Sequence, residues 1–424
     1  MNMQFLKKDS LLKNISLLVS GTVMAQLIPI MLQPILKRIF TPEDFGVFEV
    51  YLKLLGILVV VFAFKYEMAI ILPKNRVKAL LLLTLSTVFS LAFTFITSVI
   101  VWIFNDEILN YLGVNSNYSF AIYILPFSVL FFSLYNALNY LLIRDKKFVA
   151  SSVNKISRRS AEGSTQIGIS FISSIKPMGL IIGDVVGNVF ATLSAFYQSF
   201  RSFRIEKRFF NIRLLRHIAK EYSDLPKYNI IPELLNAGFL AAVSFLVLAK
   251  FDIVEVGYME LTQRILAIPT AFIAYSVGQV LLQKITEMVN NKERISKEIR
   301  NTFFLLLSMT IPFVLIIYFF AEPIFGFVFG EKWIISGLYS KYLIIFYALA
   351  FLVSPLAQVL VSLQEFKVNA IWKIGRFFLI IPLFMLEFES VDNYLISYSI
   401  LGGLSYVVYF FIVLFYSKKY DDAL

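Results

Sequence analysis

The chain has 424 residues, 58% of them apolar and 16% charged, with a formal net charge of +11, no cysteine and one histidine. Without thiols there can be no disulfide, thiolate metal site or cysteine nucleophile, and His217, alone in a basic segment, reads as a surface residue rather than a ligand or base. No Gly-rich phosphate loop, Ser/His/Asp set or sizeable soluble segment is present, which argues against ATP hydrolysis and against an enzyme in general.

Apolar runs close to 20 residues recur from end to end, which predicts an all-α polytopic membrane protein. About twelve runs can be drawn: Leu12 to Leu36, Val47 to Leu72, Ala79 to Phe104, Tyr118 to Ile143, Val149 to Ile175, Leu180 to Phe200, Ile230 to Ala249, Gly257 to Gln283, Ile299 to Ala321, Leu338 to Leu363, Val368 to Leu386 and Asn393 to Ser417. The first is too long for a cleavable signal and is expected to stay as a span. Most of the 39 Lys and Arg fall in alternate connections, whereas the intervening loops hold only Lys37, Arg38, Lys176, Lys250, Lys332 and Lys341. That asymmetry predicts cytoplasmic N- and C-termini. The net positive charge is therefore a topology signal plus attraction to anionic lipid heads, and no aromatic-basic motif points to nucleic acid.

In chain order, a short basic head, Met1 to Lys13, precedes a first run carrying Gly21, Gln26, Pro29, Gln33 and Pro34. Two prolines and two glutamines in one span predict a bent helix facing protein or water. The second run opens on Phe40 to Lys53, FTPEDFGVFEVYLK, and half a chain length later Phe251 to Arg264 reads FDIVEVGYMELTQR. Without a gap, Phe40 matches Phe251, Asp44 matches Glu255, Gly46 matches Gly257, Glu49 matches Glu260 and Lys53 matches Arg264. In each copy an acid and a base four residues apart share one face of an apolar helix. Each is either a self-neutralising ion pair or a functional one, and repetition at one register favours function for Lys53 and Arg264. Lys65, further along the second run, either snorkels to the cytoplasmic edge or joins the same site.

The third and fourth runs carry no base before Arg144 and read as lipid-facing walls, joined by an outer loop from Asn105 to Asn117. The fifth run is too short in its apolar part, so its helix must take in Lys155, Arg158, Arg159, Glu162 and Gln166, which fall within about 100 degrees of arc. Such a stripe predicts a watery cavity or a charged ligand. The sixth run holds Asp184 and Asn188 one turn apart, as candidate ion-coupling groups. Arg201 to Lys227 reads as an amphipathic interfacial linker.

The expected organisation is thus an N-terminal six-helix lobe (1–200), a basic cytoplasmic linker (201–227) and a C-terminal six-helix lobe (228–424), the lobes related by a pseudo-two-fold axis along the membrane normal. In the second lobe Pro269 is expected to bend its helix, and Lys373 and Arg376 read as headgroup anchors. The longest outer loop is expected at Glu322 to Gly337.

The stretches TPEDFGVFEVYLKLLG with KYEMAIILPK, YSDLPKYNIIPELLN, GYMELTQRILAIPTAF and FGEKW together resemble the Wzx-type flippases of O-antigen and other polysaccharide repeat units, in the multidrug/oligosaccharidyl-lipid/polysaccharide exporter superfamily. The likeness runs along essentially the whole chain. It implies a twelve-helix bacterial inner-membrane protein that moves a polyprenyl-diphosphate-linked oligosaccharide from the cytoplasmic to the outer leaflet by alternating access. Coupling to H+ or Na+ is open, no other cofactor is expected, and polysaccharide polymerase or assembly proteins join membrane lipids as candidate partners. The resemblance places substrate contacts most directly on Lys53 and Arg264, with Lys155, Arg158, Arg159 and Lys65 as further basic candidates. Glu49, Glu260, Glu162 and Asp184 are the candidate polar or coupling groups. The alternatives are a cation-coupled multidrug exporter, which would want carboxylates facing its substrate, and a membrane-embedded polysaccharide polymerase or glycosyltransferase.

Overall fold

Several helix starts in this chain are set by side-chain caps, at Thr41, Asn211 and Ser390, and left-handed residues mark a break after Ala63. A computed structural model describes residues 23–112, 115–172, 176–200, 211–379 and 381–424. The helices are α1 (23–39), α2 (Pro42–Phe62), α3 (Tyr66–Ala69), α4 (Arg76–Leu112), α5 (Ser119–Arg144), α6 (Phe148–Ser170), α7 (Lys176–Phe200), α8 (Ile212–Glu221) and α9 (Asp224–Lys250). They continue with α10 (Ile253–Pro269), α11 (Tyr275–Asn290), α12 (Ser296–Phe329), α13 (Ile334–Val353), α14 (Ala357–Ser362), α15 (Phe366–Phe378), α16 (Ile381–Met385) and α17 (Val391–Asp422). Among the described residues there is no strand, and ten helical stretches are long and apolar enough to span a bilayer. The chain is a multi-pass membrane protein. Of the twelve expected runs, the first lies partly outside the described residues, and the fifth, α6, is helical but too polar to count among the ten.

The repeated acidic loop has a local physical cause. Thr41 caps α2: its hydroxyl accepts from the Asp44 amide at 3.2 Å, while the Asp44 carboxylate accepts from the Thr41 amide at 2.7 Å. In the second copy the Asp252 carboxylate accepts from the Glu255 amide at 2.9 Å. Gly46 is required by close approach, since a Cβ there would lie 1.9 Å from the Ile253 carbonyl oxygen.

The chain forms two compact units, Met1–Val256 and Gly257–Leu424, with the boundary inside α10. In the first, α6 and α7 pack against one another, α7 lies on α5, and α9 runs along α2. Gly183 and Gly187, one turn apart, let α6 approach α7 backbone to backbone: a Cβ on Gly187 would lie 2.8 Å from the Arg158 carbonyl oxygen, and one on Gly183 would lie 2.3 Å from Gln166 Cγ. The amphipathic α8 packs on α4 with Leu215 and Ile218 buried and His217 exposed. In the second unit α12 and α13 form a tight hairpin and α13 packs on α17. Near the chain end, Asp421 accepts from the amides of Ile295 and Ser296, satisfying donors at the start of α12.

Several expected boundaries are corrected. The second run is not one helix: Phe64 and Lys65 adopt left-handed conformations (φ 53° and 60°) and separate α2 from α3. Lys37 belongs to α1 rather than to a loop, fully buried with its ammonium 3.2 Å from the centre of the Phe45 ring. The expected loops at Asn105 to Asn117 and Glu322 to Gly337 are largely helical, since α4 runs on to Leu112 and α12 to Phe329 before Gly330 turns the chain at φ 103°. The third and fourth runs are not simple lipid-facing walls: α4 and α5 pack together, with the buried hydroxyls of Ser90 and Ser133 2.9 Å apart. After Pro269 the helix continues through a π-helical turn, Thr270–Ala274, the local rearrangement that a helix proline demands.

Gly187→Leu is expected to destabilise the protein by about 1–3 kcal/mol through overpacking against α6. Gly168→Leu should cost far less, because a Cβ there meets nothing within 4 Å. Thermal melting of the two purified variants in detergent checks the difference.

Candidate functional site

The repeated charge pairs close within their own helices. Lys53 Nζ lies 2.9 Å from Glu49 on α2, and Arg264 Nη2 lies 2.5 Å from Glu260 on α10. Each spacing of four residues stacks the two side chains on successive turns. In both pairs the acid is the buried partner and the base the exposed one: side-chain exposure is 24% for Lys53 against 10% for Glu49, and 31% for Arg264 against 4% for Glu260. Each pair therefore presents a cationic head carried on a sequestered carboxylate.

The polar stripe of α6 is answered largely by α7. Arg158 Nη2 is 3.5 Å from Asp184, and its guanidinium lies 4.8 Å from the Phe132 ring centre. Asp184 also accepts from the Tyr51 hydroxyl and the Asn188 amide, both at 3.1 Å, and Tyr51 is 2.5 Å from the Ser128 hydroxyl. Asn188 Oδ1 is buried and makes no hydrogen bond among the described residues. Arg159 pairs with Glu162 at 2.7 Å, and Gln166 donates to the Leu180 carbonyl at 3.1 Å. Lys155 is half-buried one turn before Arg158. The stripe thus divides: Glu162 and Gln166 are buried, Arg158 is engaged with Asp184, and Arg159 and Lys155 keep accessible surface.

Lys65 neither snorkels nor joins the other bases. The helix break turns it inward, where it is buried and ion-paired with Glu233 of α9. Arg376 lies in the last turn of α15, at a helix end as expected, with its Nη1 3.0 Å from the Tyr406 hydroxyl and its guanidinium facing the rings of Phe346, Trp372 and Tyr406.

Sequence reasoning passed over Tyr51, Ser128 and Glu233. An aromatic in a membrane run looks like one more apolar residue, but the internal repeat held a signal. Tyr51 falls on Thr262, and the two make corresponding contacts: Tyr51 with Ser128 of α5, and the Thr262 hydroxyl with the Ser336 carbonyl of α13 at 2.9 Å.

The helical architecture, with ten stretches among the described residues long and apolar enough to span a bilayer, belongs to a recognisable class of fold. The structure is similar to an inward-facing multidrug resistance MATE family transporter of the MOP superfamily, with 13% identity over 95% of this chain and 99% of that one and a TM-score of 0.72. It is similar also to the lipid II flippase MurJ in an inward closed conformation, with 15% identity over 94% of this chain and 89% of that one and a TM-score of 0.69. A MOP superfamily transporter from Pyrococcus furiosus matches with 13% identity over 96% of each chain and a TM-score of 0.56. The chain has the two-lobe fold of these transporters. Residues 35–336 match the family described as Polysaccharide biosynthesis protein, and the chain belongs to it. No curated protein matches the sequence.

Breaking the buried Arg158–Asp184 pair from one side should cost about 3–5 kcal/mol, because it leaves a charge without its partner inside the bundle. Arg158→Ala and Asp184→Ala are therefore each expected to melt well below wild type, and the double variant to recover part of the loss. A double-mutant cycle on melting temperature in detergent measures that coupling.

Proposed function

We propose that this protein is a flippase for polyprenyl-diphosphate-linked oligosaccharide, an O-antigen or capsule repeat unit. It moves the unit from the cytoplasmic to the outer leaflet of a bacterial inner membrane by alternating access. Membership of a polysaccharide biosynthesis family supports the sugar cargo, and the transporter fold, shared with a lipid II flippase, supports movement across the bilayer rather than chemistry on it.

One observation carries the reading: at both repeated pairs the base keeps accessible surface while the acid is buried. Outward cations at membrane depth suit a diphosphate, and arginine can hold phosphate oxygens in a bidentate way. Lys155 and Arg159, with accessible surface on α6, are further contacts for the same group. A multidrug exporter taking organic cations would want the opposite polarity, with carboxylates outward.

Arg264→Ala should lower surface polysaccharide by about 10-fold or more, the loss of one desolvated charged contact, with normal protein abundance. Arg264→Lys should retain part, and Lys53→Ala should reproduce the defect. The measurement is complementation of a strain lacking its own flippase, scored by lipid-linked repeat units accessible on the outer leaflet. Normal accessibility with Arg264→Ala would remove that residue from the mechanism.

Asp184 is proposed as the coupling carboxylate for H+ or Na+. It is buried and hydrogen-bonded by Tyr51 and Asn188, and the side-chain oxygen of Asn188 makes no hydrogen bond among the described residues. Asp184→Asn keeps the shape and removes the charge. Transport by this variant in proteoliposomes should no longer respond to an imposed proton or sodium gradient, whereas an unchanged response would exclude the role.

A further inference from the structure

The stretch KYEMAIILPK, Lys65 to Lys74, has no part in the charge pairs of α2 and α10, yet it holds a buried carboxylate. It begins where Phe64 and Lys65 take left-handed backbone conformations, at φ 53° and 60°. Neither is a glycine, so each position is strained and has to be held by its surroundings. Aromatic packing supplies the hold. Phe64 stacks on Phe89 of α4 with ring centres 4.9 Å apart, and Tyr66 stacks on the same ring at 5.8 Å while its hydroxyl donates to the Ala219 carbonyl of α8 at 3.0 Å. With both neighbours fixed in this way, Lys65 is directed at Glu233 of α9.

Glu67 lies beside that ion pair. It is buried, and its Oε2 makes no hydrogen bond among the described residues. The charges that act on it are Lys65, from the break itself, and Glu233, from α9. Tyr140 of α5 lies within electrostatic reach of both carboxylates, and on α4 Arg76 is paired with Asp145 and Lys78 with Glu221. Two acids thus share one ammonium. Burial, and then the like charge of Glu233, favour the protonated form of Glu67 against the pull of Lys65. A protonated Glu67 leaves Lys65 to Glu233 alone, whereas an ionised one offers Lys65 a second anion on its own side of the contact. α9 belongs to the second half of the sequence but packs within the first unit, along α2. A contact that fastens it there is placed to be made and broken as the protein changes conformation.

We propose that Glu67 is a proton-binding site that controls the Lys65–Glu233 contact: protonated, it leaves α9 latched to the helix break, and ionised, it draws Lys65 back and releases α9. The proposal rests on the alternating-access reading and gives that cycle a second ionisable group besides Asp184, on a different helix. Acid favours the latched form and alkali the released one.

The chain has no cysteine, so two introduced ones can carry spin labels at unique positions. Leu72→Cys, just after α3, and Leu235→Cys, on α9, are exposed positions that leave the three charges in place. The full-length protein in nanodiscs, without substrate, is measured by double electron–electron resonance at about pH 5 and about pH 8. The expected result is one α3–α9 separation at the lower pH and a second, longer one whose population rises by about fivefold at the higher, the ratio that one partly exposed ion pair can carry. Glu67→Gln, isosteric with the protonated acid, should keep the shorter separation at both, and Lys65→Met should show the longer one at both. A distribution that does not change with pH would overturn the proposal. So would a change that persists in Glu67→Gln, which would assign the response to another group such as His217 or Asp184. The pH comparison with all three charges in place does not depend on any charge variant folding. Flipping of lipid-linked repeat units is scored separately in wild-type proteoliposomes. Transport with a separation that ignores pH refutes the latch alone, and a pH-dependent separation without transport refutes the flippase reading alone.

Discussion

A charge inside a membrane helix must be answered by something close by, because lipid offers it neither water nor counter-ion. This protein answers its intramembrane charges in several ways. Glu49 with Lys53 and Glu260 with Arg264 close one helical turn apart, and Arg159 closes on Glu162 in the same manner. Arg158 reaches a neighbouring helix at Asp184, Lys65 is turned inward by a helix break to meet Glu233, and Arg376 rests among aromatic rings. Much of the architecture follows. The α6–α7 network can form only if those helices approach closely, and Gly183 and Gly187 permit it.

The same constraint gives the site its polarity. In both copies the acid is more deeply buried than the base. The buried glutamate pairs with and orients the base one helical turn further on. The arrangement recurs in two sequence copies, each begun by a carboxylate that accepts a backbone amide at the helix start.

Legibility followed the range of the interaction. The Glu49–Lys53 and Glu260–Arg264 pairs could be read from their four-residue spacing, and the structure places each pair within its own helix. The stripe on α6 was legible as a stripe, but not as a surface shared between Asp184 of α7 and open space. Run lengths predicted helices at the right places while missing the break at Phe64 and Lys65, since no glycine or proline marks it. The helix-end position of Arg376 was legible, but its turn toward Tyr406 was not, since that depends on α17, distant in sequence.

The order of charges along each helix, the apolar run lengths and the internal duplication are properties of the chain itself, so the amino-acid sequence alone determined the helical membrane class and the intrahelical pairs. Which face of each helix turns inward was decided only in the tertiary structure. In helices apolar all round, periodicity does not specify rotation, and the neighbours of Arg158, Lys65 and Arg376 follow from packing between distant segments. The same packing decided that Glu49 and Glu260 are hidden while Lys53 and Arg264 keep accessible surface.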